Sequence, residues 1–301
     1  MQDKKPYVSI GMPVYNAERW IEEALQSLLQ QTYTDFELII SDNASTDNTD
    51  QICRDYASSD RRIRYLRQPE NFGAAKNFNI VFKLSSGKYF KWASYDDICA
   101  PEYLRKCVQI LDADPSVVLC YPKTQCIHED GHFLFDYDNG FKNVSSSKPQ
   151  KRFQDILLVN HWVIEIWGLM RRDVLQKTPL IAPFAGSDYP LLAEIALHGK
   201  FHEIPETLFS QRRRSDERNF QTRRAWAAWF DPKQASKIVF PEWSLLFAYF
   251  NALRRAPIRP GDRIGCFIIV LRWMLKNREP LYADLEVAAK TVHNRLKCSH
   301  S

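Results

Sequence analysis

The feature that most constrains this chain is an alternation in its first half. Short apolar runs recur about every 25–30 residues, each separated from the next by a segment with helical apolar spacing. Residues 7–12 (YVSIGM) form such a run and stop at Pro13. Residues 17–30 follow, with Trp20, Ile21, Ala24, Leu25, Leu28 and Leu29 on one helical stripe. The same pattern predicts strands at 36–40, 63–66 and 89–93, and helices at 49–56 and 74–84. Strand–helix–strand repetition implies βαβ units with right-handed crossovers. The expected fold class is therefore α/β, with a mixed, mostly parallel sheet covered by helices on both faces. Such a sheet presents its ligand loops at the carboxyl ends of the strands.

Further along, residues 117–121 read as a strand, 129–150 as a polar irregular excursion, 153–159 as a helix, 162–170 as an apolar strand, 189–198 as a helix and 201–204 as a strand. Composition changes after Gln211. An arginine-rich run from Arg212 is followed by Trp226, Trp229, Trp243, Phe247, Tyr249 and Phe250 on helical segments. A boundary near residue 220 is expected, with an α/β domain over 1–220 and a helical C-terminal extension over 221–301. The total of 301 residues suits one large domain plus such an extension.

Seven cysteines are scattered, with no CxxC pair, and read as small buried residues in a reducing compartment. No apolar leader follows the polar start, and the most apolar candidate, residues 264–275, is shorter than a bilayer span and contains Arg272. A cytoplasmic location is expected. A net charge of +5 fits anionic ligands or contact with an anionic membrane face, and is too small to call for a nucleic-acid partner. His128, His132, His161, His198 and His202 show no metal-ligand spacing and are expected to bind no metal.

The residues just after each strand carry the chemistry. The first strand ends in Pro13-Val14-Tyr15-Asn16 and the second in Ser41-Asp42-Asn43-Ala44-Ser45-Thr46-Asp47-Asn48-Thr49. Carboxylates there can accept hydrogen bonds from a base or ribose, and an aromatic ring can stack on a base. Asp47 and Thr49 serve equally well as caps of the next helix. After the fourth strand comes Ser94-Tyr95-Asp96-Asp97. Hard cations such as Mg²⁺ and Mn²⁺ take carboxylate and phosphate oxygens together, so a carboxylate pair at this edge can hold an ion over a diphosphate. An Asp-Asp pair in isolation is more often a turn or cap; its place after a fourth βαβ strand favours the metal reading. Asp188, in Gly186-Ser187-Asp188-Tyr189, opens a late helix and can be read as its cap.

Taken in order, these elements resemble glycosyltransferase family 2, inverting enzymes of the GT-A type, a Rossmann-like nucleotide-diphospho-sugar transferase fold. The resemblance covers residues 7–215. Asp42-Asn43-Ala44-Ser45-Thr46-Asp47 is similar to the family's Asp-Asp-Gly-Ser-Thr-Asp loop, with Asn43 and Ala44 replacing the second acid and the glycine. Asn71-Phe72-Gly73-Ala74-Ala75-Lys76-Asn77 resembles its Asn-x-Gly and Ala-Arg-Asn element, with Lys76 where arginine is common. Asp96 and Asp97 match its DxD element, in which Ser94 replaces the first acid. Asp188 matches the second acid of its Glu-Asp pair, and Ser187 replaces the first. Gln211-Arg212-Arg213-Arg214 is similar to its Arg-Arg-His element, with Arg214 in place of the histidine.

The resemblance implies a nucleotide site formed by Pro13, Tyr15, Asp42, Asn71, Lys76 and Asp96, a Mn²⁺ or Mg²⁺ ion on Asp96 and Asp97, and Asp188 as catalytic base. It implies transfer of a sugar from a nucleoside-diphosphate sugar, with UDP the expected nucleotide, to a saccharide, lipid-linked or protein acceptor in cell-surface polysaccharide or glycoconjugate synthesis. The basic, aromatic extension is expected to serve peripheral membrane contact, homo-oligomer contact or packing on the catalytic domain. The replaced motif residues leave open a protein that binds nucleotide sugars without turning them over. A nucleotidyltransferase or a dinucleotide oxidoreductase would want a glycine-rich phosphate loop after the first strand, and residues 13–19 contain no glycine.

Overall fold

The computed structural model describes residues 5–214, 223–234 and 237–298. The first half follows the alternation read from the sequence: β1 Val8–Val14, α1 Ile21–Leu29, β2 Phe36–Asp42, α2 Thr49–Ser59, β3 Ile63–Arg67, α3 Ala74–Leu84 and β4 Tyr89–Trp92. Strands β1, β2, β3 and β4 are mutually parallel. Their carboxyl ends, with the loops that follow Val14, Asp42 and Trp92, therefore share one edge.

The second half adds β5 Ile98–Cys99, α4 Tyr103–Ala113, β6 Val117–Ile127, β7 Phe133–Tyr137, α5 Pro149–Leu158, β8 Leu169–Arg171, α6 Arg172–Leu175, α7 Asp188–His198 and β9 Lys200–Arg212. The sheet runs β3-β2-β1-β4-β8-β6-β9-β5, with β7 attached to β6. Strand β8 is antiparallel to both its neighbours, β4 and β6, so the sheet is mixed. The sheet divides two apolar cores. Val8, Ile10, Met12, Leu25, Leu28, Leu104 and Leu111 fill one side, and Val81, Phe90, Trp92, Phe153 and Leu192 the other. Gly11 lets α3 lie close on β1, because a Cβ there would meet Val81 Cγ2 at 2.6 Å.

Three expectations need correction. Residues 129–150 are not wholly irregular: β7 runs through them as an edge strand, its alternation masked by flanking Asp and Gly and by the exposure of residues 133–136. Residues 162–170 are not one strand. Val163 has φ +60°, a 3-10 turn spans Ile164–Trp167, and only residues 169–171 pair in the sheet. Residues 201–204 are part of a much longer strand, Lys200–Arg212, bent by register shifts against β6. Helix α4, which the strand-first reading passed over, buries Tyr103, Leu104, Cys107, Val108 and Leu111.

Beyond residue 222 lie α8 Arg223–Phe230, α9 Pro241–Arg255, α10 Pro260–Lys276 and α11 Arg278–Cys298. Leu246, Tyr249, Leu253, Cys266, Val270 and Trp273 from α9 and α10 join the core formed by Phe153 of α5 and Leu191 and Ile195 of α7. Arg255 of α9 grips the buried Glu194 of α7 with two hydrogen bonds, at 2.8 and 2.6 Å. The expected domain boundary near residue 220 lies outside the described residues. No helix among them is long and apolar enough to cross a membrane.

Candidate active site

At the carboxyl edge, β1 and β2 stay in register to their ends, pairing Pro13 with Ser41 and Val14 with Asp42. Pro13 is buried at this edge, and Tyr15, just beyond it, is 40% exposed. Asn16 (φ +49°) turns its side chain back to accept the Thr46 N–H at 2.9 Å, which joins the two loops. Asp42 is wholly buried. Its Oδ1 accepts the Ser45 N–H at 2.9 Å and the Ser45 hydroxyl at 2.5 Å, and its Oδ2 accepts the Tyr65 hydroxyl at 3.1 Å. The carboxylate thus holds the loop in shape from beneath, a task the sequence did not reveal. Asp47 caps through Oδ1, which accepts the Thr49 N–H at 3.1 Å, and through Oδ2, which accepts the Glu18 N–H of the α1 approach, also at 3.1 Å.

Asn71 reaches the same edge. Its Oδ1 accepts Asn43 Nδ2 and the Gly73 N–H, both at 2.8 Å. Gly73 has φ +84°, a positive φ that glycine adopts without steric cost. Lys76 is exposed, with its ammonium 3.2 Å from the Phe72 ring centroid.

Asp96 and Asp97 follow one another in the loop after β4 and are both buried, 8% and 6% exposed. Asp96 accepts the Ser94 hydroxyl, and its Oδ2 lies 3.0 Å from Arg214 Nη1. Asp97 Oδ1 accepts the Arg212 N–H at 2.9 Å. Burial, and then the neighbouring Asp96 charge, push the Asp97 carboxyl well above the ordinary range, against the pull of the Arg212 N–H, Lys91 and Arg214. Two like charges packed together out of water favour a counter-charge, and oxygen donors suit a hard divalent ion. The residues present therefore fit Mn²⁺ or Mg²⁺.

Asp188 is the first residue of α7. Its Oδ1 accepts the adjacent Tyr189 N–H at 3.1 Å, and the N-cap residue Ser187 makes no side-chain cap hydrogen bond. Burial pushes its carboxyl above the ordinary range, opposed by backbone N–H groups. His161 is its electrostatic neighbour.

Sequence reasoning missed several residues of this region. Arg212, 3% exposed, donates Nε to the Asp96 carbonyl at 2.9 Å, holds the carbonyls of His128 and Glu129 through Nη1, and pairs with Glu23 of α1 through Nη2. Lys91 is fully buried in β4, with Nζ donating to the carbonyls of Trp92 and Trp167, and burial pulls its ammonium below the ordinary lysine range. A lysine inside an apolar strand (YFKW) was the available signal. Glu165, an acid inside the run HWVIEIWGLM, was another. At the β6–β7 turn His128, Asp130 and His132 bring ligand atoms within 4.8 Å of one another, although the sequence spacing did not suggest a set. All three are exposed, and contacts of both rings to Asp130 Oδ1 account for the cluster.

Residues 9–178 match the family model described as Glycosyl transferase family 2. An uncharacterized glycosyltransferase of Haemophilus influenzae is 28% identical over 214 residues, covering 69% of this chain and 65% of that protein. The glycosyltransferase GlyG of Streptococcus pneumoniae is 34% identical over 131 residues, 42% of each chain. A Rickettsia prowazekii glycosyltransferase is 36% identical over 131 residues, 43% of this chain and 40% of its own length. The matches thus span less than two thirds of these relatives. Among solved structures, residues 1–349 of Staphylococcus aureus TarS in complex with UDP-GlcNAc superpose with a TM-score of 0.67 at 18% identity, covering 94% of this chain and 80% of that one. The mannosyltransferase PcManGT of Pyrobaculum calidifontis, in complex with GDP-Man and Mn²⁺, gives 0.56 at 18% identity, covering 96% and 76%. Both likenesses concern the fold.

Proposed function

Because the chain belongs to glycosyltransferase family 2 and has the GT-A fold, we propose that it is a hexosyltransferase-type enzyme. It moves a sugar from a nucleoside diphosphate, UDP in the first instance, to an acceptor hydroxyl with inversion at the anomeric carbon. The observation that carries this reading is the buried Asp96–Asp97 pair at the sheet edge where the Tyr15 and Asp42 loops meet. TarS, the structural relative, was crystallised with UDP-GlcNAc, which makes that donor the first to try.

Tyr15 is the exposed ring suited to stack on the nucleobase, Pro13 two residues before it is a buried part of the same strand end, and Asp42 and Asn71 keep the surrounding loops in place. Lys76 and Arg214 supply positive charge for the diphosphate. Asp96 and Asp97 would hold Mn²⁺ or Mg²⁺, which when bound supplies Lewis-acid stabilisation of charge on the leaving diphosphate. Asp188 takes the proton of the acceptor hydroxyl as its oxygen bonds to the anomeric carbon and the bond from that carbon to the diphosphate oxygen breaks. A positioned base of this kind contributes about 10²–10⁴-fold. No covalent intermediate on the protein is required.

Turnover of a panel of nucleotide sugars with Mn²⁺, with and without EDTA, tests the reading through release of free nucleotide and a glycosylated acceptor. Donor binding with no release of nucleotide under any condition would favour the alternative, a nucleotide-sugar-binding protein. The ion pair between Arg214 and Asp96 is the observation that favours it, since it occupies one carboxylate of the pair.

The same proposal divides the chain into a catalytic unit over 1–220 and a helical extension over 221–301 that serves acceptor-side, membrane or subunit contact in polysaccharide or glycoconjugate synthesis at the cytoplasmic membrane face. Ile264, Ile268 and Leu275 form an exposed apolar line on α10, beside the exposed Arg272. Ile264→Asp with Ile268→Asp, assayed by sedimentation with anionic vesicles and by light scattering, separates the two contacts.

A further inference from the structure

A cavity of about 400 Å³ opens between β6, β7, β9 and the 3-10 turn. Its walls include the rings of Tyr121, Tyr137 and Trp167, and the acids Asp136, Asp138, Glu165 and Glu203, with Lys123 the one cation among its lining residues. Glu165 is 2% exposed, and its Oε2 has no hydrogen-bond partner. His161 Nδ1 lies 3.5 Å from that oxygen but does not serve it. The Nδ1 atom accepts the Val163 N–H at 3.2 Å, while Nε2 lies 3.1 Å from the Ile156 carbonyl. A buried carboxylate oxygen without a donor is destabilising unless a ligand supplies one.

Glu165 is joined to the helix that Asp188 opens through His161, whose Nδ1 lies 3.5 Å from Glu165 Oε2 and whose carbonyl accepts the Tyr189 hydroxyl. Tyr189, which follows Asp188, feels the charges of both Asp188 and Glu165, and its hydroxyl donates to the His161 carbonyl at 2.9 Å. Tyr121 feels Glu165 and Glu203 together. Aromatic walls suit the C–H faces of a sugar ring, and carboxylates accept its hydroxyl donors. With four acids and one lysine, the field opposes an acidic or phosphorylated ring.

We infer that this cavity is the acceptor subsite, and that it takes a pyranose ring bearing hydroxyl or amino donors and no acid group, held by Glu165. This rests on the glycosyl-transfer reading above and narrows the acceptor within it. Binding is measured by calorimetry on the full chain with UDP and Mn²⁺ present, using methyl glucoside, methyl glucosaminide and methyl glucuronide. The first two are expected to bind at least about tenfold more tightly than the glucuronide. Glu165→Gln should weaken them about tenfold, the loss expected for one hydrogen bond to a charged group, with UDP affinity unchanged. Asp136→Lys, at an exposed rim position where folding is not at stake, should narrow or reverse the discrimination against the glucuronide. Equal affinity for all three sugars, absence of binding, or indifference to both substitutions would overturn the subsite. Because the readout is binding, it separates the two ideas. Sugar binding without transfer to any acceptor keeps the subsite and removes the transferase. Transfer with no sugar bound here does the reverse.

Discussion

The main-chain N–H of Arg212 donates to Asp97 Oδ1 at 2.9 Å, across 115 residues of sequence. The last strand of the sheet thereby fixes the carboxylate that the fourth strand delivers. Asp97→Asn keeps an acceptor for that N–H and removes a desolvated charge. Its melting temperature is expected to equal or exceed the parent's, while metal-dependent turnover falls about 10²-fold or more. EDTA should abolish turnover of the parent. Undiminished turnover in the variant would remove Asp97 from the metal site.

Asp188→Asn should retain nucleotide binding and lose transfer. In the parent the base acts only when ionised, and burial raises its pKa. The rate should therefore fall as pH drops through that raised value and level off above it. The sign for stability is opposite. A carboxyl that holds its proton more tightly when folded costs stability as pH rises from the ordinary carboxylate range through the raised value. The Asn variant should then be the more stable protein above that window and equal to the parent below it. Melting curves across pH, alongside a kcat profile, check both signs.

Ala44 sits at φ +62°, where the family loop commonly carries glycine. A left-handed alanine costs about 1–2 kcal/mol, and glycine returns about 0.4–1 kcal/mol of that through unfolded-state entropy. Ala44→Gly should stabilise the chain by about 0.5–1 kcal/mol in urea unfolding. A lower midpoint would show that the loop does not carry this strain.

Arg255→Ala should destabilise by about 3 kcal/mol, because it leaves the Glu194 carboxylate buried without its partner. The double variant with Glu194→Gln should recover much of the loss. If the two substitutions simply add, the pair is not the link between α7 and α9.

Most of the catalytic half was legible because a parallel sheet writes its register in apolar runs. The predicted bounds of α3 match the observed ones, and the loops after β1, β2 and β4 share an edge as expected. Legibility declined where long-range partners decide the local shape. The 3-10 turn at Ile164–Trp167 follows a left-handed Val163, which no propensity announces. Strand β7 exposes most of the face that alternation would have marked as buried. Arg212 looked like one of a basic run, and only the fold shows its guanidinium buried against Asp96, Glu129 and Glu23.

The shared interior of α5, α7, α9 and α10 has a practical corollary for deletion work. A chain cut ahead of α8 would lay bare Phe153, Leu191 and Ile195 and strand the Glu194 carboxylate, so its loss of activity would report collapse of the scaffold and nothing about the extension's own task. Single changes on the outward faces of these helices leave that seam closed, and they are the means by which the last eighty or so residues can be given a role.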